Sequence, residues 1–238
     1  MYEIHHNELG KIIVKTHSGA KNIIARKKQD GILLTVPKGC NSKNVENALE
    51  KLKIKILQTP PPAPPPLITE ETRIETLAFT ASIRQTIMTE KYLLSLKNNE
   101  LTVFVPSDAD ITSPVVQQQI KQIILEALRM EAKKILPQKI DFLAKKLQIL
   151  YNQVKINSSR SRWGSCSSGK TINLSLFLLF LPEAYVDYVI LHELSHTLEM
   201  NHGTRFWNIL NKMCGEDAKK ISRNLRTLQI ESMRYFPR

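Results

Sequence analysis

Ile12 and Val14 alternate with polar residues, Ile23 and Ile24 follow, and a second apolar run, Gly31-Ile32-Leu33-Leu34-Thr35-Val36-Pro37, precedes a helical stretch from Ser42 to Leu57. A period of two predicts half-buried strands, and the 3.6-residue period that replaces it predicts a helix. The same succession returns further on. Ile83 to Leu96 leads through Asn98-Asn99 to Leu101-Thr102-Val103-Phe104-Val105-Pro106, then to polar residues and a helix from about Ser113 to Leu136. Hairpin, Val-Pro and helix therefore occur twice, which predicts a duplicated ββα unit; two copies are too few for a solenoid.

Between the copies stands Pro60-Pro61-Pro62-Ala63-Pro64-Pro65-Pro66, a run without backbone donors that favours a stiff polyproline II spacer. After Pro137 the pattern predicts a second helix to about Tyr151, a strand over Gln153–Asn157, a polar loop over 158–169 and a strand from Thr171 to about Leu176. A further helix starts near Pro182, with Glu183 in its first turn, and carries Val186, Val189, Ile190 and Leu194 to about Thr197. The expected fold class is α+β. Its parts are an N-terminal ββα unit (1–58), a proline-rich spacer (59–67), a second ββα unit (68–136) and a compact C-terminal domain (137–238).

Composition changes this picture little. At 238 residues, 42% of them hydrophobic, the chain can bury a sizeable core without a disulfide or metal to hold it together. Cys40, Cys166 and Cys214 are odd in number and far apart, which fits a reducing compartment. Met1 to Ser18 has no signal-peptide pattern, and the most apolar stretch, Leu174 to Leu181, is far short of a membrane span. The expectation is a cytoplasmic protein with no membrane partner. The net charge of +12 makes nucleic acid a possible partner, although a solvated basic surface explains it as simply, since no stacking-aromatic or helix-turn-helix pattern accompanies it.

The chemistry is concentrated on the helix after Pro182, which contains His192-Glu193-Leu194-Ser195-His196, with His202 six residues later. Residues four apart share a helix face, so His192 and His196 can aim two imidazoles at one ion. A catalytic zinc site takes three protein ligands and keeps one position open, and Gly203 allows the chain to turn so that His202 becomes the third. Glu193, next to the first ligand, can face the open side and act as general base on metal-activated water. The predicted reaction is peptide-bond hydrolysis with one Zn2+ per chain. With six histidines in the chain, a chance His-Glu-x-x-His arises in roughly one such sequence in a hundred. A closed structural zinc site would need a fourth Cys or His, and this segment has none.

Other residues carry weaker signals. Arg162 and Asn173 are candidates for substrate binding, Arg162 either as an electrophilic helper near the carbonyl or as a structural hydrogen-bond donor. Trp163, Phe206 and Trp207 read as packing aromatics, and Cys166 as packing before nucleophile. Met213 is either a hydrophobic base beneath the metal or an ordinary core methionine. The strand Thr171 to Leu176 is the candidate edge for an extended peptide. Asn208 to Arg238 is basic and helical-looking, without a legible motif.

Ser161-Arg162-Trp163-Gly164-Ser165-Cys166-Ser167, Ile172-Asn173-Leu174, Pro182, Asp187-Tyr188-Val189-Ile190-Leu191-His192-Glu193-Leu194-Ser195-His196, Asn201-His202 and Phe206-Trp207 together resemble the YgjP-like zinc metallopeptidases. The resemblance is specific over about 158–210 and looser over the rest. It implies a zincin-like C-terminal domain with His192, His196 and His202 as zinc ligands and Glu193 as the catalytic carboxylate. More distantly the site is similar to the SprT-like and WLM families, some of whose members cleave proteins crosslinked to DNA. Glu199 stands where metzincins carry a glycine, so that clan is not assigned. Two alternatives stay open: a nucleic-acid-binding or interaction protein with a vestigial zinc site, and a DNA-associated protease.

Overall fold

The computed structural model describes residues 1–28 and 30–237. The chain separates within the proline run into two units, Met1–Pro64 and Pro65–Arg238.

In the first unit, β1 (Tyr2–His6), β2 (Gly10–His17), β3 (Ile24–Lys28) and β4 (Gly31–Pro37) form one sheet in the order β1-β2-β4-β3, followed by α1 (Ser42–Gln58). β2 and β4 run parallel, and the two outer pairs are antiparallel. Alternation puts Ile12, Val14, Ile32, Leu34 and Val36 on the buried side, and α1 covers them with Val45, Leu49 and Ile56, spaced four and seven apart on one helix face. Asn41 caps that helix by accepting from the Asn44 backbone N–H at 2.8 Å. Gly31 has φ +134°, and a Cβ there would lie 2.4 Å from the Lys11 carbonyl oxygen. Only glycine lets β4 begin this close to β2.

The second unit opens with the same arrangement: β5 (Ile74–Glu75), β6 (Thr80–Thr86), β7 (Leu93–Lys97) and β8 (Glu100–Pro106) in the order β5-β6-β8-β7, with β6 and β8 parallel. Asn98 and Asn99 both take positive φ, 51° and 62°, as the two-residue turn between β7 and β8 requires. Each sheet thus has four strands before its helix, where the sequence pattern suggested two. The outer strands escaped it because β1 is exposed or half-exposed throughout and β5 is only two residues long.

The helix that follows, α2 (Pro114–Leu147), is continuous through Pro137, where two helices were expected. The proline removes one donor and costs about 3 kcal/mol in a helix interior. Ala132, Leu136, Ile140 and Ala144 are all buried on one face at intervals of four, and each fully buried aliphatic side chain contributes about 1.5–3 kcal/mol. Burial on both sides of the proline outweighs the break.

β9 (Gln153–Asn157), β10 (Gly164–Cys166) and β11 (Thr171–Ser175) form a second sheet in the order β10-β11-β9, antiparallel between β10 and β11 and parallel between β11 and β9. A 3-10 turn over Leu176–Phe180 leads to α3 (Glu183–His196), α4 (Thr204–Cys214) and α5 (Ala218–Thr227). One hydrophobic core runs from Ile68 to Phe236. Lys139 on α2 bonds both Glu183 and, at 2.9 Å, Asp187, so α2 fixes the first half of α3 from outside as well as through the core. No described helix is long and apolar enough to cross a membrane.

Candidate metal centre

α3 presents two opposite demands along its length. Val186, Ile190 and Leu194 are fully buried in the core, while His192, Glu193 and His196 turn toward β10 and the start of α4. After α3 the chain reverses through Asn201 to Gly203 and returns as α4, which brings His202 back over the helix. Ligand nitrogens of His192, His196 and His202 all lie within 4.8 Å of one another, and the Nε2 atoms of His192 and His202 are 3.1 Å apart. Two nitrogens each about 2.0–2.1 Å from a tetrahedral ion would sit roughly 3.3 Å apart, so the donor set fits a single metal.

One imidazole is held by a hydrogen bond from behind, and all three rest on one aromatic ring. His196 Nδ1 lies 3.2 Å from the Glu199 carbonyl oxygen, a contact that turns Nε2 toward the other two rings when Nδ1 carries the proton. Trp207 Nε1 donates to the His202 carbonyl oxygen at 3.1 Å. Phe206, fully buried, forms the floor, with its ring centroid 4.6 Å from those of His196 and His202 and 5.0 Å from that of His192. Met213 instead contacts the Ser195 hydroxyl at 3.3 Å. Burial, reinforced by the neighbouring imidazoles, pushes the His192 pKa down to about 3, and burial lowers that of His196. Both rings are thus kept in the neutral form that binds metal.

Glu193 is 5% exposed, and its Oε2 has no hydrogen-bond partner. Burial raises its pKa to about 8 against the opposing charge of Arg162. An orphaned buried carboxyl oxygen beside three converging imidazoles is unusual, and it leaves Glu193 Oε2 free to bond a water or substrate group in the cleft. The carboxylate is trapped by β10: a Cβ on Gly164 would lie 2.7 Å from both Cγ and Oε1 of Glu193.

Two cavities meet at Glu193. One, of about 400 Å3, is the cleft over the three histidines, lined also by Ser165, Cys166 and Met200. The other, of about 330 Å3, extends away from the histidines toward α5. Arg162, Gly164, His192 and Glu193 line both. Of the two substrate-binding candidates, Arg162 thus lies at the site. Asn173 lines neither cavity and bonds Ser165 Oγ at 3.5 Å, a cross-strand contact between β11 and β10.

One expectation changes. β11 is flanked by β10 and β9 and has no free edge; the edge beside Glu193 belongs to β10, which the polar composition of residues 158–169 concealed. Cys166 lines the cleft, but burial and the Glu193 charge raise its pKa to about 11, which leaves the thiol protonated near neutrality and unsuited to attack. The contribution of α5 was missed altogether. Its only sequence signal is the four-residue spacing of Ser222 and Arg226, which puts both on one helix face.

The model of the YgjP-like metallopeptidase domain matches residues 21–228. No curated protein matches the chain significantly. Among solved structures, the metallopeptidase zymogen of Pyrococcus abyssi abylysin is similar at 26% identity over 39% of this chain and 93% of its own, with a TM-score of 0.35. The metallopeptidase zymogen of Methanocaldococcus jannaschii jannalysin is similar at 27% identity over 38% and 96%, with a TM-score of 0.31.

Proposed function

Because the chain belongs to the YgjP-like metallopeptidase family, we propose that His192, His196 and His202 hold one zinc ion and that Glu193 is the general base of a peptide-bond hydrolase. The observation that carries this reading is the convergence of three imidazole nitrogens within 4.8 Å beside the unpartnered, buried Glu193 Oε2. Zinc bound there would polarise the scissile carbonyl and lower the pKa of water to about 7. Glu193 accepts the proton of the attacking water at Oε2 and returns it to the leaving nitrogen. Arg162 lines the cleft on the same side and balances the Glu193 charge. An extended substrate pairs its main chain with the free edge of β10, three residues that run past Glu193.

Residues 137–238 carry the site in this reading. The two four-stranded sheets, alike in strand order and pairing sense, support treating the segments 1–58 and 68–136 as copies of one unit, with 59–67 as spacer. The family points to peptide or protein substrates and lends nothing to the nucleic-acid partner read from the charge of +12.

Metal analysis of the protein purified without added metal or a nickel column tests the centre. The expected result is about one zinc per chain, lost in His196→Ala and retained in Glu193→Gln, with peptide cleavage abolished in both variants. A full metal content in His196→Ala, or cleavage surviving Glu193→Gln, would overturn the assignment.

A further inference from the structure

The cavity on the α5 side of Glu193 is built by three elements. α3 contributes Tyr188 and Val189, one turn before His192 and Glu193; α5 contributes Ser222, Leu225 and Arg226; the loop leading into β10 contributes Arg162 and Trp163. Its volume of about 330 Å3 lies in the range of ligand pockets. It shares Arg162, Gly164, His192 and Glu193 with the cleft over the histidines, so whatever fills it lies beside Glu193.

Its lining combines an apolar wall with unsatisfied donors. Val189 and Leu225 offer aliphatic surface. Arg162 and Arg226 are exposed at the mouth, and neither has an ion pair or hydrogen bond among the described residues. The Tyr188 hydroxyl is buried, in a residue only 5% exposed, and makes no well-formed hydrogen bond; the neighbouring Ser222 hydroxyl gives it only a weak contact. Glu193 is the single acidic group in the lining, so the two guanidiniums leave the cavity with a positive excess. A stranded buried hydroxyl costs free energy until an acceptor reaches it, and guanidinium groups favour a carboxylate bound at two points.

We propose that this cavity is a specificity subsite that takes a glutamate-like side chain of the substrate residue flanking the scissile bond. The aliphatic stem lies against Val189 and Leu225, and the carboxylate accepts from Arg226, Arg162 and the Tyr188 hydroxyl. This inference rests on the peptidase reading above. It gives α5 a role in choosing the substrate that is separate from the metal centre, and it assigns Arg226 as a specificity-determining residue.

The test uses the full zinc-loaded chain carrying Glu193→Gln, so that peptides bind without turnover, and fluorescent peptides with amidated ends that differ only in Glu, Gln, Leu or Lys at the positions flanking the central bond. The expected result is at least about fivefold tighter binding of one Glu peptide than of its Gln counterpart, in line with a charge-assisted hydrogen bond. Adding Arg226→Glu should reverse the order, so that Lys binds better than Glu, while the zinc content is unchanged. Equal binding of the Glu and Gln peptides, or an unchanged order in Arg226→Glu, would overturn the subsite. So would affinity that depends on a free C-terminal carboxylate and ignores the internal Glu, because the cavity would then receive a chain end. Cleavage by the wild type without preference for Glu defeats the subsite and spares the peptidase reading; absence of both binding and cleavage defeats the two together.

Discussion

Gly164→Ala separates the position of Glu193, the proposed general base, from every other feature of the centre. Gly164 has no positive φ, so alanine is conformationally allowed there, and its pairing with Leu174 across β10 and β11 uses only main-chain atoms. The added methyl would lie 2.7 Å from Glu193 Cγ and Oε1 and 2.9 Å from Cδ. Carbon atoms rest at about 3.5–4.0 Å, so strand or carboxylate must give way by roughly 0.8 Å. Glu193 is enclosed and Cγ is near the root of its side chain, which closes off a simple swing of the far end. Overpacking of this size costs about 1–3 kcal/mol, and a misplacement near 1 Å at a catalytic group costs on the order of 100-fold in rate. The expected result is a fall of roughly 100-fold in kcat/KM on a mass-spectrometric peptide-mixture assay, at unchanged zinc content and with Tm lowered by only several degrees. Gly203→Ala is the control, since a Cβ there meets nothing within 4 Å although it adjoins His202. Activity within threefold of wild type in Gly164→Ala would show that Glu193 is not held by β10, and the base would have to be sought elsewhere.

Three further outcomes follow from the same contacts. Trp207→Phe removes the donor to the His202 carbonyl oxygen while keeping an aromatic ring beside it, and should weaken zinc about 10-fold in a chelator competition; unchanged affinity would deny Trp207 that supporting role. In the metal-free protein, Glu193 titrates near 8 when folded and near its usual 4.5 when unfolded, so the folded state alone keeps a proton between those values and stability falls as pH rises through them. His192, depressed to about 3 from 6.5, acts in the opposite sense: the unfolded chain still holds about half a proton there at pH 6.5, so this group restores about 0.4 kcal/mol as pH rises to 8. From pH 6.5 to 8 urea unfolding of the metal-free chain should therefore lose about 1 kcal/mol, and Glu193→Gln should abolish that loss; an identical slope in the variant would contradict the burial argument. Gly31→Ala, with its Cβ 2.4 Å from the Lys11 carbonyl oxygen at φ +134°, should destabilise the first unit by more than about 2 kcal/mol, seen as faster proteolysis between Met1 and Pro64; unchanged resistance would mean that β2 and β4 have room to separate.

The convergence of the three histidines was readable in the sequence because its geometry is local. A spacing of four on one helix puts His192 and His196 on the same face whatever the rest of the fold does, and Glu193 and the nearby His202 follow within ten residues. The strand runs around Val14, Val36, Ile83 and Val103 were readable for a similar reason, since alternation marks a face without naming its partner. What escaped was decided by contacts distant in sequence. Pro137 marks a helix boundary to any local rule, and only the burial of Leu136 and Ile140 against the core carries α2 across it. The polar residues 158–169 look like a loop, yet the register of Ser165 with Asn173 turns three of them into the strand edge that confines Glu193. The same holds for the second cavity. Tyr188 and Val189 read as core positions of α3, and Ser222 and Arg226 as a solvated stripe on α5. α5 returns to α3 some thirty residues later, and only that return gives the four side chains a common cavity next to Glu193. On the proposed reading the chemistry is local and legible whereas the selectivity is tertiary, and substitutions on α5 should alter which peptides are cut before they alter whether the metal is held.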